Sequence, residues 1–217
     1  MQRASHVGNG GSLKVHEIKD FIKASYAQIP PSEINGWRLD TELSRPYAKV
    51  YYKPFPVGQS GDDYAVSATI THMGSQGLSD WGNNLIYGLY GEVGYKQTQR
   101  FKQAQDLQNK TEKKYGSQNV STLGHSQSGL ISQLVGKNSK EVITLNPMTS
   151  LQRGTMTATT GPNIFNIRSS ADVASVFNIG KTQNKNNIVI PATSFNLYKE
   201  HKSDVLDNLD PNMSIGM

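Results

Sequence analysis

Val120-Ser121-Thr122-Leu123-Gly124-His125-Ser126-Gln127-Ser128-Gly129-Leu130-Ile131, continuing to Leu134-Val135, is the stretch whose reading decides the fold. Asn119 to Leu123 reads as a short strand. Leu130, Ile131, Leu134 and Val135 then recur at the spacings of three and four that mark a buried helix face. Six residues with glycine at both ends must therefore carry a strand directly into a helix. Gly-x-Ser-x-Gly alone is a weak signal in a chain with 20 glycines. Between a strand and a helix it acquires a mechanical meaning: the turn holds a serine in strained backbone above the end of a sheet. The helix N-terminus behind Ser126 favours negative charge developing there. Gly124 and Gly129 are expected where a side chain would collide with neighbouring backbone.

Working outward, Tyr64 to His72 is a strand with Val66, Ala68 and Ile70 on one face, and Ala48 to Lys53 is a β-rich run stopping at Pro54. Val15 to Ala27 carries a helical stripe (Val15, Ile18, Phe21, Ile22, Tyr26) ended by Pro30-Pro31. Residues 1–13, with Gly8 to Gly11, read as a flexible lead-in, and Gly58 to Asp63 as a turn-rich loop. Two helices are expected before the elbow. One is capped by Ser79-Asp80 and shows Leu78, Trp81, Leu85 and Leu89; the other runs from Tyr95 to Tyr115 and is stopped by Gly116. Downstream, Glu141 to Asn146, Asn163 to Arg168 and Ile188 to Ile190 are short strands. Ala171 to Phe177 is a short helix, and His201 to Leu209 a loop or short helix. Strands alternating with helices imply one α/β domain over residues 14–217, with a mostly parallel central sheet flanked by helices.

Composition narrows the chemistry. The 217 residues fit one domain, 35% hydrophobic and 18% charged, with a mean hydropathy of −0.53. The absence of cysteine excludes disulfides, Cys-based metal sites and a thiol nucleophile. The five histidines lack metal-ligand spacing, so a structural zinc site is not expected. The net charge of +5 is dispersed. Its densest cluster, Lys110, Lys113 and Lys114 around Glu112, reads as a solvated helix end, and no aromatic-basic pattern calls for nucleic acid. No apolar run approaches the ~18 residues of a transmembrane segment. Residues 1–14 lack the apolar core of a secretory signal, so a cytoplasmic protein is the expectation; a virion-packaged one would carry the same signature.

A serine hydroxyl becomes a useful nucleophile only when a base takes its proton and a carboxylate orients that base. The α/β-hydrolase elbow imposes the chain order Ser, Asp or Glu, then His. His201 is the one histidine that follows the elbow, and the acids between Ser126 and His201 are Glu141, Asp172 and Glu200. Glu141 opens a strand at the far end of the sheet, and Glu200 is too close in sequence to reach round to Nδ1. The expected triad is Ser126, Asp172 and His201. For the oxyanion, the N–H of Gln127 is one donor and the loop His72-Met73-Gly74-Ser75 supplies the other through Ser75, with Gly74 allowing close approach. His72 and His125 read as supporting residues, His125 with its side chain directed away from Ser126.

The chain resembles the class 3 (fungal-type) lipases of the α/β-hydrolase fold. The likeness rests on four segments spanning about residues 48–206. Ala68 to Ser75 with Leu78-Ser79-Asp80-Trp81 is similar to the family's strand, Arg-Gly-Thr/Ser and Asp-Trp. Gly124-His125-Ser126-Gln127-Ser128-Gly129 is similar to its Gly-His-Ser-x-Gly-Gly. Asn166 to Val173 and His201-Lys202-Ser203 resemble its aspartate and histidine stretches. The resemblance implies hydrolysis of lipid esters through an acyl-enzyme, with Ser75 and Gln127 at the oxyanion and no cofactor. The sequence departs from the family in three ways: Met73 stands for its arginine, Gln127-Ser128 for an apolar-glycine pair, and no lid-like amphipathic helix is visible. The expected substrate is therefore an acylglycerol, phospholipid, lysophospholipid or small ester, met in solution or at a membrane surface. The alternative is a lipase-fold protein, weak or inactive as a catalyst, with a structural or membrane-surface role.

Overall fold

The computed structural model of the protein describes residues 11–57, 63–74, 96–147, 161–172, 186–194 and 196–216. These residues build one eight-stranded sheet whose strands lie side by side in chain order: β1 (Glu33–Ile34), β2 (Trp37–Leu39), β3 (Ala48–Val57), β4 (Asp63–His72), β5 (Val120–His125), β6 (Glu141–Leu145), β7 (Ile164–Ser169) and β8 (Asn187–Ile190). β1 to β4 pair antiparallel and β4 to β8 pair parallel. Among the described residues the helices are α1 (Val15–Tyr26), α2 (Gln99–Tyr115), α3 (Gln127–Val135) and α4 (Leu197–His201), with 3-10 turns at Ser117–Asn119 and Ser203–Asn208. The sheet is covered on both faces, as parallel strands require.

Period-two alternation assigns the faces. Tyr51, Leu123, Ile143, Leu145, Phe165 and Ile167 join Ile18, Phe21 and Ile22 of α1 in one apolar cluster. On the other face Val50, Ala68, Ile70 and Val120 pack against Leu107 of α2, while Phe101 and Ala104 meet Ile131, Leu134 and Val135 of α3. Burying each large aliphatic side chain contributes about 1.5–3 kcal/mol. Among the described residues no helix is long and apolar enough to cross a membrane.

Three sequence expectations change, and one hairpin is added. β3 does not stop at Pro54 but pairs with β4 through Val57. Its pairing with β2 ends at Tyr52, so Pro54 and Pro56 lie where, among the described residues, that side of the strand has no partner and a missing N–H costs no ladder bond. The β1–β2 hairpin turns at Asn35-Gly36, with φ of 51° and 81°. Asn-Gly at two positive-φ positions is the signature of a type I′ turn and was legible in the sequence. The lead-in ends earlier than residue 13. Leu13 is buried, its N–H donates to Glu141 Oε1 at 3.2 Å, and Ser12 Oγ donates to Glu141 Oε2 at 2.5 Å. α2 starts at Gln99 because Thr98 caps it, accepting from Phe101 N–H at 3.2 Å. The helix expected over 78–89, and most of that expected over 171–177, lie outside the described residues.

Candidate active site

Parallel register brings the strand ends to one rim. His72 aligns with Gly124, Gly124 with Thr144, Leu145 with Ile167 and Ser169 with Ile190. Met73, Ser126, Asn146 and Asp172 leave the sheet there, where open α/β sheets place their sites. Glu141 opens β6 opposite Ser121, at the other rim.

Ser126 joins β5 to α3 with φ 60° and ψ −126°, a conformation that costs a non-glycine residue on the order of 1–3 kcal/mol. Its N–H is held by the Leu145 carbonyl at 3.0 Å. The turn is tight because its glycines admit close contact: a Cβ on Gly129 would lie 2.6 Å from Pro147 Cβ, and one on Gly124 would overlap the Ser128 carbonyl and the Ser132 hydroxyl. Gly124→Ala is expected to destabilise the fold by about 2–3 kcal/mol, since backbone as well as side chain must move. The urea midpoint reads this directly, and an unchanged midpoint would contradict the crowding.

Asp172 and His201 are both buried and meet through Asp172 Oδ1 and His201 Nδ1 at 2.5 Å. The pairing inferred from chain order is thus present. Glu200, beside His201 in sequence, turns elsewhere: Ser169 Oγ donates to its Oε2, and Thr193 N–H to its Oε1 at 3.0 Å. The Ser169 bond, helped by the Thr193 donors, holds this carboxyl below the usual carboxylate range. Asn146, at φ 45°, closes the rim by donating to the Glu200 carbonyl at 2.9 Å and accepting from Ser169 N–H at 2.9 Å. These bonds fix the His201 segment to the ends of β6 and β7. Asn146-Pro147 was a readable turn signal; nothing local marked Glu200 as an anchor.

The expectation that His125 points away from the site is corrected. Its ring lies 5.0 Å from that of His201. Alternation along β5 turns His125 towards α1, and the His201 backbone arrives on the same side. His125 Nε2 lies 2.7 Å from the His201 carbonyl, which can only accept, so Nε2 carries the proton. Nδ1 then accepts from the Tyr26 hydroxyl at 2.8 Å, and Tyr26 in turn accepts from Gly74 N–H. Gly74 is needed at that position: a Cβ there would overlap the Tyr26 hydroxyl and come within 2.7 Å of the His125 carbonyl. The chain Gly74–Tyr26–His125–His201 ties the loop after β4 to the histidine segment. Ser75 lies outside the described residues; Gln127 is buried as the first residue of α3, where N–H groups have no intrahelical acceptor.

Burial keeps both supporting histidines neutral. Desolvation, with a contribution from the His201 ring, pushes His125 down to about 4; desolvation, with Arg100 nearby, pushes His72 down to about 3. An unfolded histidine takes a proton near pH 6.5, whereas these folded rings refuse it until far lower. Stability is therefore complete above about pH 6.5 and falls as acid protonates the unfolded chain, by about 1.4 kcal/mol per pH unit for each ring. The urea midpoint should drop between about pH 6.5 and 4.5, before most carboxylates titrate. His72→Gln should shallow the slope, and a flat wild-type profile would contradict the burial.

Arg100, like Tyr26, Asn146 and Glu200, was not singled out as a site residue in the sequence and lies at this rim. Its Nη1 donates to Gln127 Oε1 at 2.8 Å and its Nη2 donates to the Met73 carbonyl. Among the described residues no group of three or more His, Asp or Glu side chains is arranged to hold a metal ion. No protein-family model matches the chain, and a search of curated proteins finds no significant relative.

Proposed function

We propose that this chain has the α/β-hydrolase fold and is a serine esterase or lipase that cleaves carboxylic esters through an acyl-enzyme on Ser126. The observation that carries the reading is the strained serine between β5 and α3, at the same sheet rim as the buried Asp172–His201 pair. Ser126 Oγ attacks the ester carbonyl carbon while His201 Nε2 takes its proton, and Asp172 steadies the imidazolium through Nδ1. The carbonyl oxygen becomes an oxyanion facing the Gln127 N–H, with Ser75 as second donor. Collapse breaks the C–O bond to the leaving alcohol, which receives the proton from His201. Water, deprotonated by His201, then attacks the acyl carbonyl, releases the acid and returns the proton to Ser126.

The similarity to class 3 lipases favours acylglycerols, phospholipids, lysophospholipids or small esters as substrates. Intact-protein mass after incubation with a fluorophosphonate is the test. One adduct is expected, on the peptide that contains Ser126. Folded protein that takes up no adduct would instead support a structural or membrane-surface role for the same fold.

A further inference from the structure

We infer that Arg100 is a positioning residue for the oxyanion hole, clamping together the two chain segments that supply its donors. This role rests on the hydrolase reading. The two segments are remote in sequence, one following β4 and the other opening α3, and a hole works only if their N–H groups stay a fixed distance apart. Arg100, half-buried as the second residue of α2, bonds both at once: one nitrogen to the Met73 carbonyl, beside Gly74 and Ser75, and the other to the Gln127 carboxamide. A planar guanidinium holds its two acceptors at a set separation, which a lysine ammonium cannot do. The Ser128 hydroxyl makes a second seam, 2.8 Å from the His72 carbonyl and 2.9 Å from that of His125, while accepting from His125 N–H at 2.9 Å. That seam ends at His72; the next two residues are held by the Met73 N–H to the Tyr47 carbonyl at 2.9 Å, by Gly74 N–H to Tyr26, and, directly across to the first residue of α3, by Arg100.

The charge has a second consequence. A cation beside a site where an oxyanion forms lowers the energy of the charged intermediate more than that of the neutral ester. Its field already reaches the surrounding groups, opposing protonation of His72 and favouring ionisation of Tyr26 against the larger effect of burial. Met73 occupies the place where the class 3 lipases carry arginine, and here a guanidinium reaches the same loop from α2.

The experiment compares fluorophosphonate inactivation of the full chain with that of Arg100→Lys and Arg100→Met, separating the maximal rate from the half-saturating concentration. Arg100→Met is expected to lower the maximal rate about 10- to 100-fold, the scale of a misplaced donor, with little change in half-saturation. Arg100→Lys, keeping the charge but not the fork, should fall between. Amide exchange at Gly74 and Gln127 should quicken in Arg100→Met while α1 and β6 amides keep their protection, which separates loss of the clamp from unfolding. Wild-type labelling with an unchanged rate in Arg100→Met would overturn the role while leaving the hydrolase reading intact. Unaltered exchange at Gly74 and Gln127 would overturn the clamp even if the rate fell. A wild-type chain that takes no label would sink the hydrolase reading, and this role with it.

Discussion

Ser126→Ala is expected to lose the fluorophosphonate adduct and to lower kcat on a short-chain ester by about 10⁶-fold, the scale seen when a triad serine is removed elsewhere. Alanine keeps the Cβ and so keeps the turn, but it has no oxygen to form the acyl-enzyme. On the proposed mechanism, what survives is substrate binding and oxyanion stabilisation alone. Ser126→Gly should be equally inactive yet more stable. Glycine adopts φ 60°, ψ −126° without the Cβ clash, and the relief should exceed its entropy cost, raising stability by about 1 kcal/mol. Opposite signs for activity and stability at one position are what a strained functional residue predicts. Ester turnover together with urea denaturation of both variants tests this; retained turnover in Ser126→Ala would remove the nucleophile from the mechanism.

Asp172→Asn is expected to lower kcat by about 10⁴-fold with little change in fold. The carboxylate accepts from His201 Nδ1 at 2.5 Å in a buried setting. On the proposed mechanism that bond holds the ring tautomer with its proton on Nδ1, so that Nε2 can accept one. An asparagine can turn its NH₂ towards Nδ1, which then accepts and moves the ring proton to Nε2. The geometry persists but the base is lost. Steady-state turnover and the rate of labelling at Ser126 should fall together, while the unfolding free energy from urea titration changes by no more than about 1–2 kcal/mol, the worth of one hydrogen bond. Full activity in Asp172→Asn would mean that another carboxyl orients His201. Glu200 is the nearest in sequence, but its oxygens are occupied by Ser169 and Thr193.

The strands and helices near the elbow were readable because their signals are local. Alternation along Ala68 to Ile70, the stripe in Val15 to Tyr26 and the glycines of the turn each report on a few neighbouring residues. Chain order narrowed the expected acid to Asp172 by elimination; in the structure its Oδ1 lies 2.5 Å from His201 Nδ1. The Asn35-Gly36 hairpin was equally legible from its turn chemistry. Pro54 misled because a proline's meaning depends on whether a strand lies on its N–H side, a property of the sheet rather than of the segment. Leu13 read as part of a flexible tail because its anchor, Glu141, is 128 residues away.

By itself, the amino-acid sequence determined the α/β alternation, the strained serine turn and the residue types able to act as nucleophile, base and acid. Tertiary structure alone decided which way His125 faces, how Asn146 and Glu200 hold the histidine segment, and that Arg100 reaches both the Met73 carbonyl and Gln127. The physical reason is one of range. Periodicity and turn preference arise within a few residues, whereas a buried polar group takes whichever partner the packed chain brings within about 3 Å.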